Sequence, residues 1–204
     1  MAWISETIRE RKCSPWVGVC YAYNTRIRRH VETYSILAVA DRPAPSNLDI
    51  QFTSHSPEET QSIGRILGEY SAAGDVILLI GELGAGKTCL TQGILNGLGS
   101  TELARSPTFV LIAEHEGRIP LYHMDLYRVG AVAQAEDLGI DEYLEGDGLT
   151  VVEWADNVPG LFSDEALKIR LDSVSESERR LMFADPSNKF TGVLEVIQRL
   201  GRSE

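Results

Sequence analysis

One short stretch constrains this chain more than any other. Gly81-Glu82-Leu83-Gly84-Ala85-Gly86-Lys87-Thr88 spells G-x-x-x-x-G-K-[ST], and the apolar run Val76-Ile77-Leu78-Leu79-Ile80 stands immediately before it. A buried-type strand that feeds a glycine-rich turn and then a helix is built to hold phosphate. The glycines let the backbone curl so that successive N–H groups point inward, and no Cβ blocks the approach of an anion. Lys87 then reaches the β and γ phosphates. Thr88 opens the helix, where the macrodipole favours negative charge and its hydroxyl can bind Mg²⁺. The expected nucleotide-binding positions are Gly81, Leu83, Gly84, Ala85, Gly86, Lys87, Thr88 and Cys89.

The 204 residues fit one α/β domain with something left over. No apolar stretch approaches the roughly 20 residues that span a bilayer, so no membrane association is expected. Residues 1–47 carry 7 Lys/Arg against 4 Asp/Glu, whereas residues 48–204 carry 12 against 26. A surface as acidic as the second part repels a polyanion, because nucleic-acid affinity comes mainly from neutralising phosphates. Any RNA involved must therefore be held by partners. Cys13, Cys20 and Cys89 are odd in number and contain no C-x-x-C pair, which fits a reducing cytoplasm.

Residues 1–47 differ in composition from the rest and close on Arg42-Pro43-Ala44-Pro45-Ser46, which reads as a linker. They are expected to be a poorly ordered N-terminal extension, followed by a phosphate-loop domain over residues 48–204. A strand is expected at Asp49 to Thr53. Ser56-Pro57-Glu58-Glu59 reads as a helix start, followed by Ile63, Ile66, Leu67 and Tyr70 at helical spacing. Leu90, Ile94, Leu95 and Leu98 mark the helix after the loop, with Gly99 ending it. Strand-type runs follow at Thr108 to Glu114, Ile119 to Asp125, Leu149 to Trp154, Leu167 to Leu171 and Leu181 to Phe183. Helices are expected near Val132 to Leu138 and from about Asn188 to Leu200. Strands alternating with helices imply a three-layer α/β fold of the P-loop NTPase kind, a mostly parallel sheet flanked by helices.

Phosphoryl transfer also needs a second acid for the metal and a group that orients the attacking water. Glu153 ends an apolar strand, so its carboxylate opens onto the same sheet edge as the phosphate loop. Asp125 holds the corresponding position in His123-Met124-Asp125-Leu126-Tyr127-Arg128, and it can position water, support the metal shell or cap the following turn. Alternation sends His123, Asp125 and Tyr127 to one side. A single strand histidine such as His123 more often packs or hydrogen-bonds than catalyses. Arg105 or Arg128 can offset charge on the leaving oxygens, and Arg179 or Arg180 can pair with the nucleotide. Ser106-Pro107-Thr108-Phe109 stands where a segment sensing the γ phosphate is often placed.

A guanine-reading N-K-x-D is missing, since Asn188-Lys189-Phe190-Thr191 has the wrong fourth residue. No L-S-G-G-Q transporter signature occurs, nor an Arg-rich lid of the small-molecule kinase type. What remains is a minimal ATPase whose output is felt by another protein. Two rivals stay open: a small-molecule kinase with Asp125 as base toward an acceptor hydroxyl, and a nucleotide-dependent switch without meaningful turnover.

The phosphate loop, Ser106-Pro107-Thr108-Phe109, His123-Met124-Asp125-Leu126-Tyr127-Arg128, Glu136-Asp137-Leu138-Gly139 and Val152-Glu153-Trp154, in this order and spacing, resemble the TsaE family, formerly YjeE, over about residues 49–185. The resemblance implies a bacterial ATPase needed to install threonylcarbamoyl on the tRNA adenosine beside the anticodon. It would work with TsaB and TsaD, bind near their junction, and reset the complex by hydrolysing ATP; the transfer itself would belong to TsaD. By matching position, Lys87 and Thr88 would hold phosphate and Mg²⁺, Glu153 would serve the Mg²⁺, Asp125 would be required for hydrolysis, and Trp154 would lie beside the nucleotide. Residues 1–47 fall outside the usual family chain, and Cys89 stands where threonine or serine is common.

Overall fold

The structure, a computed structural model, describes residues 50–107 and 111–201. The expected N-terminal extension and the Thr108-Phe109 part of the Ser106 segment lie outside them.

The described residues form a seven-stranded sheet flanked by helices. In chain order the elements are β1 (Ile50–Ser54), α1 (Pro57–Tyr70), β2 (Val76–Ile80), α2 (Lys87–Gly97), β3 (Ile112–His115) and β4 (Leu121–Asp125). There follow α3 (Val132–Glu136), α4 (Ile140–Leu144), β5 (Leu149–Glu153), a 3-10 turn (Ala155–Asn157), β6 (Leu167–Ser173), β7 (Arg179–Ala184) and α5 (Thr191–Leu200). Across the sheet the strands run β1-β7-β6-β2-β5-β4-β3. The four in the middle, β6, β2, β5 and β4, are mutually parallel. The flanks, β3 on one side and β7 with β1 on the other, are antiparallel.

The centre is parallel because those strands are apolar on both faces. All five residues of β5 are buried, as expected for a strand covered on both sides. Period-two alternation then divides the core. Ile77, Leu79, Val151, Ile169 and Leu171 face one helical layer, with Ile63 and Leu67 of α1, Leu90, Ile94 and Leu95 of α2, and Val193, Leu194 and Ile197 of α5. Leu78, Met124 and Val152 face the other, thinner layer, with Ala135, Ile140, Ala155 and Val158.

Helix α1 begins as its sequence dictates. Ser56 caps it, its Oγ accepting the Glu59 N–H at 3.2 Å, with Pro57 at the first helical position. Other boundaries differ from expectation. Leu111 adopts a left-handed φ of 67° and its N–H bonds the Pro107 carbonyl at 2.6 Å, so β3 starts only at Ile112. The stretch after Val132 breaks at Gly139, φ 69°, into α3 and the unexpected α4. The last helix starts three residues later than expected, at Thr191, because Asn188 takes φ 58° and the Asp185 carboxylate accepts the Phe190 N–H at 2.7 Å.

Helices α1 and α2 pack at backbone distance. Gly64 and Gly68 of α1 face Gly93 and Gly97 of α2. A Cβ on Gly93 would lie 2.8 Å from the Gln61 Cα, one on Gly97 2.8 Å from the Glu69 nitrogen, and one on Gly64 2.9 Å from the Ile94 nitrogen. Two G-x-x-x-G stripes are thus pressed together, which locks the helix carrying the phosphate loop onto its neighbour.

Candidate nucleotide and metal site

The loop between β2 and α2 curls through three positive-φ glycines: Gly81 (148°), Gly84 (79°) and Gly86 (104°). Gly86 caps α2 in the left-handed region, where a side chain is strained, and its carbonyl accepts the Leu90 N–H at 2.9 Å to start the helix. Ala85 is buried beneath the curl, while Leu83 at its tip is 81% exposed.

The Lys87 side chain folds back over the loop. Its Nζ donates to the Gly81 carbonyl at 2.5 Å and to the Glu82 carbonyl at 3.0 Å, and lies 3.7 Å from the centroid of the Trp154 ring. Burial pulls the Lys87 ammonium below the ordinary lysine range, opposed by the negative charges of Glu153, Asp125, Asp156 and Glu82. Trp154 reaches this position through a left-handed φ of 59° just past β5, and Tyr127 packs on it with ring centroids 4.8 Å apart.

Beside Lys87, Thr88 Oγ1 donates to Glu153 Oε1 at 2.8 Å. Glu153 and Asp125 are register partners at the ends of β5 and β4, and Leu79 of β2 pairs with Glu153 from the other side. Both carboxylates are buried, at 3% and 2% exposure. The topology therefore gathers two acids and the α2 N-terminus at one sheet edge, where ligands of open α/β sheets bind.

Asp125 does two things at once. Its Oδ1 accepts the Tyr127 N–H at 3.0 Å, an Asx turn that ends β4, and its Oδ2 accepts the Ser106 hydroxyl. Because the strand stops there, Tyr127 does not continue the alternation of His123 and Asp125; it is half exposed against Trp154. Asn157 of the 3-10 turn secures the same corner by donating to the Leu126 carbonyl at 3.0 Å.

The arginines separate. The guanidinium of Arg179, at the start of β7, bonds the Ser175 and Glu178 carbonyls at 2.9 Å and reaches the Gly84 carbonyl at 3.5 Å. The turn between β6 and β7 thereby props it beside the loop. Arg105, Arg128 and Arg180 are exposed. Cys89 turns away from the loop, its Sγ 3.4 Å from the Pro57 carbonyl of α1, and burial pushes its thiol up from the ordinary value. Cys89→Ser is accordingly expected to leave magnesium-nucleotide affinity within about twofold of wild type in calorimetry, since the exchanged atom packs on α1. A loss of tenfold or more would place the side chain in the site.

Two positions could be named from the sequence but not placed. Arg179 is separated from the loop by most of the domain, and only the β6–β7 hairpin brings it back. His123 was legible only as a strand histidine, yet its Nε2 lies 2.9 Å from Glu153 Oε1. The signal was its two-residue offset from Asp125 on the same face.

The donors fit a magnesium nucleotide. Thr88 and Glu153 supply hard oxygens at the N-terminus of α2, and Glu153 Oε2 accepts no hydrogen bond among the described residues. Among the same residues no three His, Cys, Asp or Glu side chains converge on a common point.

A family model described as "Threonylcarbamoyl adenosine biosynthesis protein TsaE" matches residues 54–181. The chain belongs to the TsaE family. Relatives named "tRNA threonylcarbamoyladenosine biosynthesis protein TsaE" include the Bacillus subtilis protein, 39% identical over 74% of this chain and 94% of its own. The Treponema pallidum protein is 37% identical over 64% and 97% of the respective chains. The crystal structure of Bacillus subtilis YdiB superposes with a TM-score of 0.65 at 34% identity, covering 77% of this chain and 99% of the other. This chain has that P-loop NTPase fold, with the three-layer α/β arrangement that its alternating elements imply. Among its described residues no helix is long and apolar enough to cross a membrane.

Proposed function

We propose that this protein is an ATPase of tRNA threonylcarbamoyladenosine formation, with residues 48–204 as its catalytic domain. The observation that carries the reading is the Thr88–Glu153 hydrogen bond at the α2 N-terminus with Asp125 in register beside it. The loop amides and Lys87 bind the triphosphate. Thr88 and Glu153 would hold Mg²⁺, which when bound would neutralise phosphate charge. Asp125, fixed by Ser106 and the Tyr127 amide, orients the attacking water, and Trp154 and Arg179 border the nucleotide.

The acidic surface, together with the names of the relatives, supports a division of labour in the cytoplasm. TsaB and TsaD hold the tRNA, and this chain binds their complex and resets it through hydrolysis. Phosphate release by the full chain with ATP should be slow alone and rise at least roughly tenfold when TsaB and TsaD are added; no rise would refute the partnership. Radiolabelled γ phosphate appearing on a metabolite instead of as free phosphate would favour a kinase.

Asp125→Asn removes the charge that orients water and keeps the size. Its turnover with partners should fall by roughly 10²-fold, with magnesium-nucleotide affinity within about twofold of wild type. Unchanged turnover would remove Asp125 from the mechanism.

A further inference from the structure

We propose that His123 is a positioning residue for the metal: its Nε2–H locks one oxygen of the Glu153 carboxylate and leaves the other for the Mg²⁺ shell. The inference rests on the magnesium-nucleotide reading above and extends it to a side chain that touches neither nucleotide nor metal.

The geometry is specific. Glu153 Oε1 takes two partners, Thr88 Oγ1 at 2.8 Å and His123 Nε2 at 2.9 Å, while Oε2 has none among the described residues. A carboxylate held at one oxygen by two donors cannot rotate freely, so the remaining oxygen is aimed before any ion arrives. His123 can do this because it sits on β4 opposite Val151, two residues before Glu153 on β5, and both side chains share the α2 face of the sheet. Its ring is fully buried.

The proton can be assigned by elimination. His123 Nδ1 is buried with no hydrogen-bond partner among the described residues. A proton there would leave an orphaned buried N–H and would also turn the Nε2 lone pair against a carboxylate. Placing the proton on Nε2 leaves only an unsatisfied acceptor, the cheaper defect. The neighbouring ring agrees. His115, 6.3 Å away between centroids, bonds Glu102 through Nδ1 at 2.8 Å and has its own Nε2 buried without a partner among the described residues. Each imidazole thus spends its N–H on a carboxylate and keeps a bare nitrogen inside. The pattern matches the imidazole–carboxylate pairs that orient metal ligands elsewhere, whose loss weakens metal binding by roughly 10- to 100-fold.

The test separates metal from nucleotide. Affinity of the full chain for a non-hydrolysable ATP analogue is measured in EDTA, and Mn²⁺ affinity of that complex is measured by paramagnetic resonance. Glutamine places an amide N–H where Nε2 stands, whereas asparagine reaches only the Nδ1 position. His123→Gln should hold Mn²⁺ within about threefold of wild type. His123→Asn and His123→Leu should lose about tenfold or more, with metal-free analogue affinity changed less than about twofold in all three. Asparagine or leucine variants that keep wild-type Mn²⁺ affinity would overturn the proposal, as would equal losses in both affinities.

Nitrogen-15 shifts of His123 in the unmutated protein give a second readout that no folding defect can blur. A proton on Nε2 is expected, and one on Nδ1 overturns the inference. Wild-type protein that binds the analogue in EDTA but no Mn²⁺ would overturn the positioning role. Wild-type protein that binds neither would remove the proposed function as well.

Discussion

Replacing Lys87 with methionine should cost roughly a hundredfold or more in affinity for magnesium ATP and yet raise the thermal midpoint of the nucleotide-free protein. The first effect follows from removing one partner of a desolvated charge pair, worth about 3 kcal/mol or more when the other partner is phosphate. The second follows from the sign of the lysine's shift. Burial lowers its pKa below the unfolded value, and the surrounding carboxylates do not fully offset this. Between the folded and the unfolded pKa the unfolded chain binds the extra proton, so stability rises with pH through a window just below the ordinary lysine value; below that window the full cost of the buried charge is present. Methionine keeps an unbranched apolar side chain and removes the charge that stands over Trp154. Calorimetric binding and thermal scans at pH 7 and pH 10 check both halves: the variant should gain stability at pH 7 and show less of that rise toward pH 10. A variant that binds ATP like wild type would dismiss the loop assignment, and one that melts earlier at pH 7 would dismiss the buried-charge account.

Gly93→Ala should lower the thermal midpoint by about 5–10 °C. Alanine gains up to about 1 kcal/mol of helix propensity over glycine, but here its Cβ would sit 2.8 Å from both the Cα and the carbonyl carbon of Gln61, with the carbonyl oxygen closer still. Backbone cannot swing aside as a side chain can, so the two helices must part. Overpacking of this kind costs about 1–3 kcal/mol, occasionally more, and a domain of this size loses about 2–4 °C per kcal/mol. Gly130→Ala is the control. Nothing lies within 4 Å of its Cβ position and its φ is not positive, so its midpoint should stay within about 2 °C. If Gly93→Ala melts like that control, the close approach of α1 and α2 is not as described.

The strand, loop and helix of the proposed phosphate site were legible because their signal is contiguous: a five-residue apolar run, glycines where the chain must curl, and a lysine and threonine at the helix start. Glu153 and Asp125 were legible for a related reason, since each is the first carboxylate after an apolar run and strand ends in a parallel sheet share an edge. The antiparallel flanks were less so. The β6–β7 hairpin shows locally in the polar turn from Ser173 to Glu178, but nothing local says that β1 returns to pair with β7. The glycines of α1 and α2 carry a readable G-x-x-x-G spacing in each helix, yet that spacing has a meaning only once the two helices are known to face each other. The true starts of β3 and α5 were hidden by single left-handed residues, Leu111 and Asn188, of which leucine gives no hint of that conformation.

The posture of Lys87 sets how this site must respond to a ligand. Its ammonium already holds the Gly81 and Glu82 carbonyls and the face of Trp154, so an incoming anion does not meet an idle cation. It has to win that cation from competitors tethered in the same chain, which rebind it without a diffusional encounter. Affinity is therefore an exchange balance: what phosphate gives, less what two carbonyls and an indole surrender. Because one ammonium joins the glycine curl to the indole, its transfer to a phosphate in the proposed nucleotide complex would free the face of Trp154 as well as the two carbonyls.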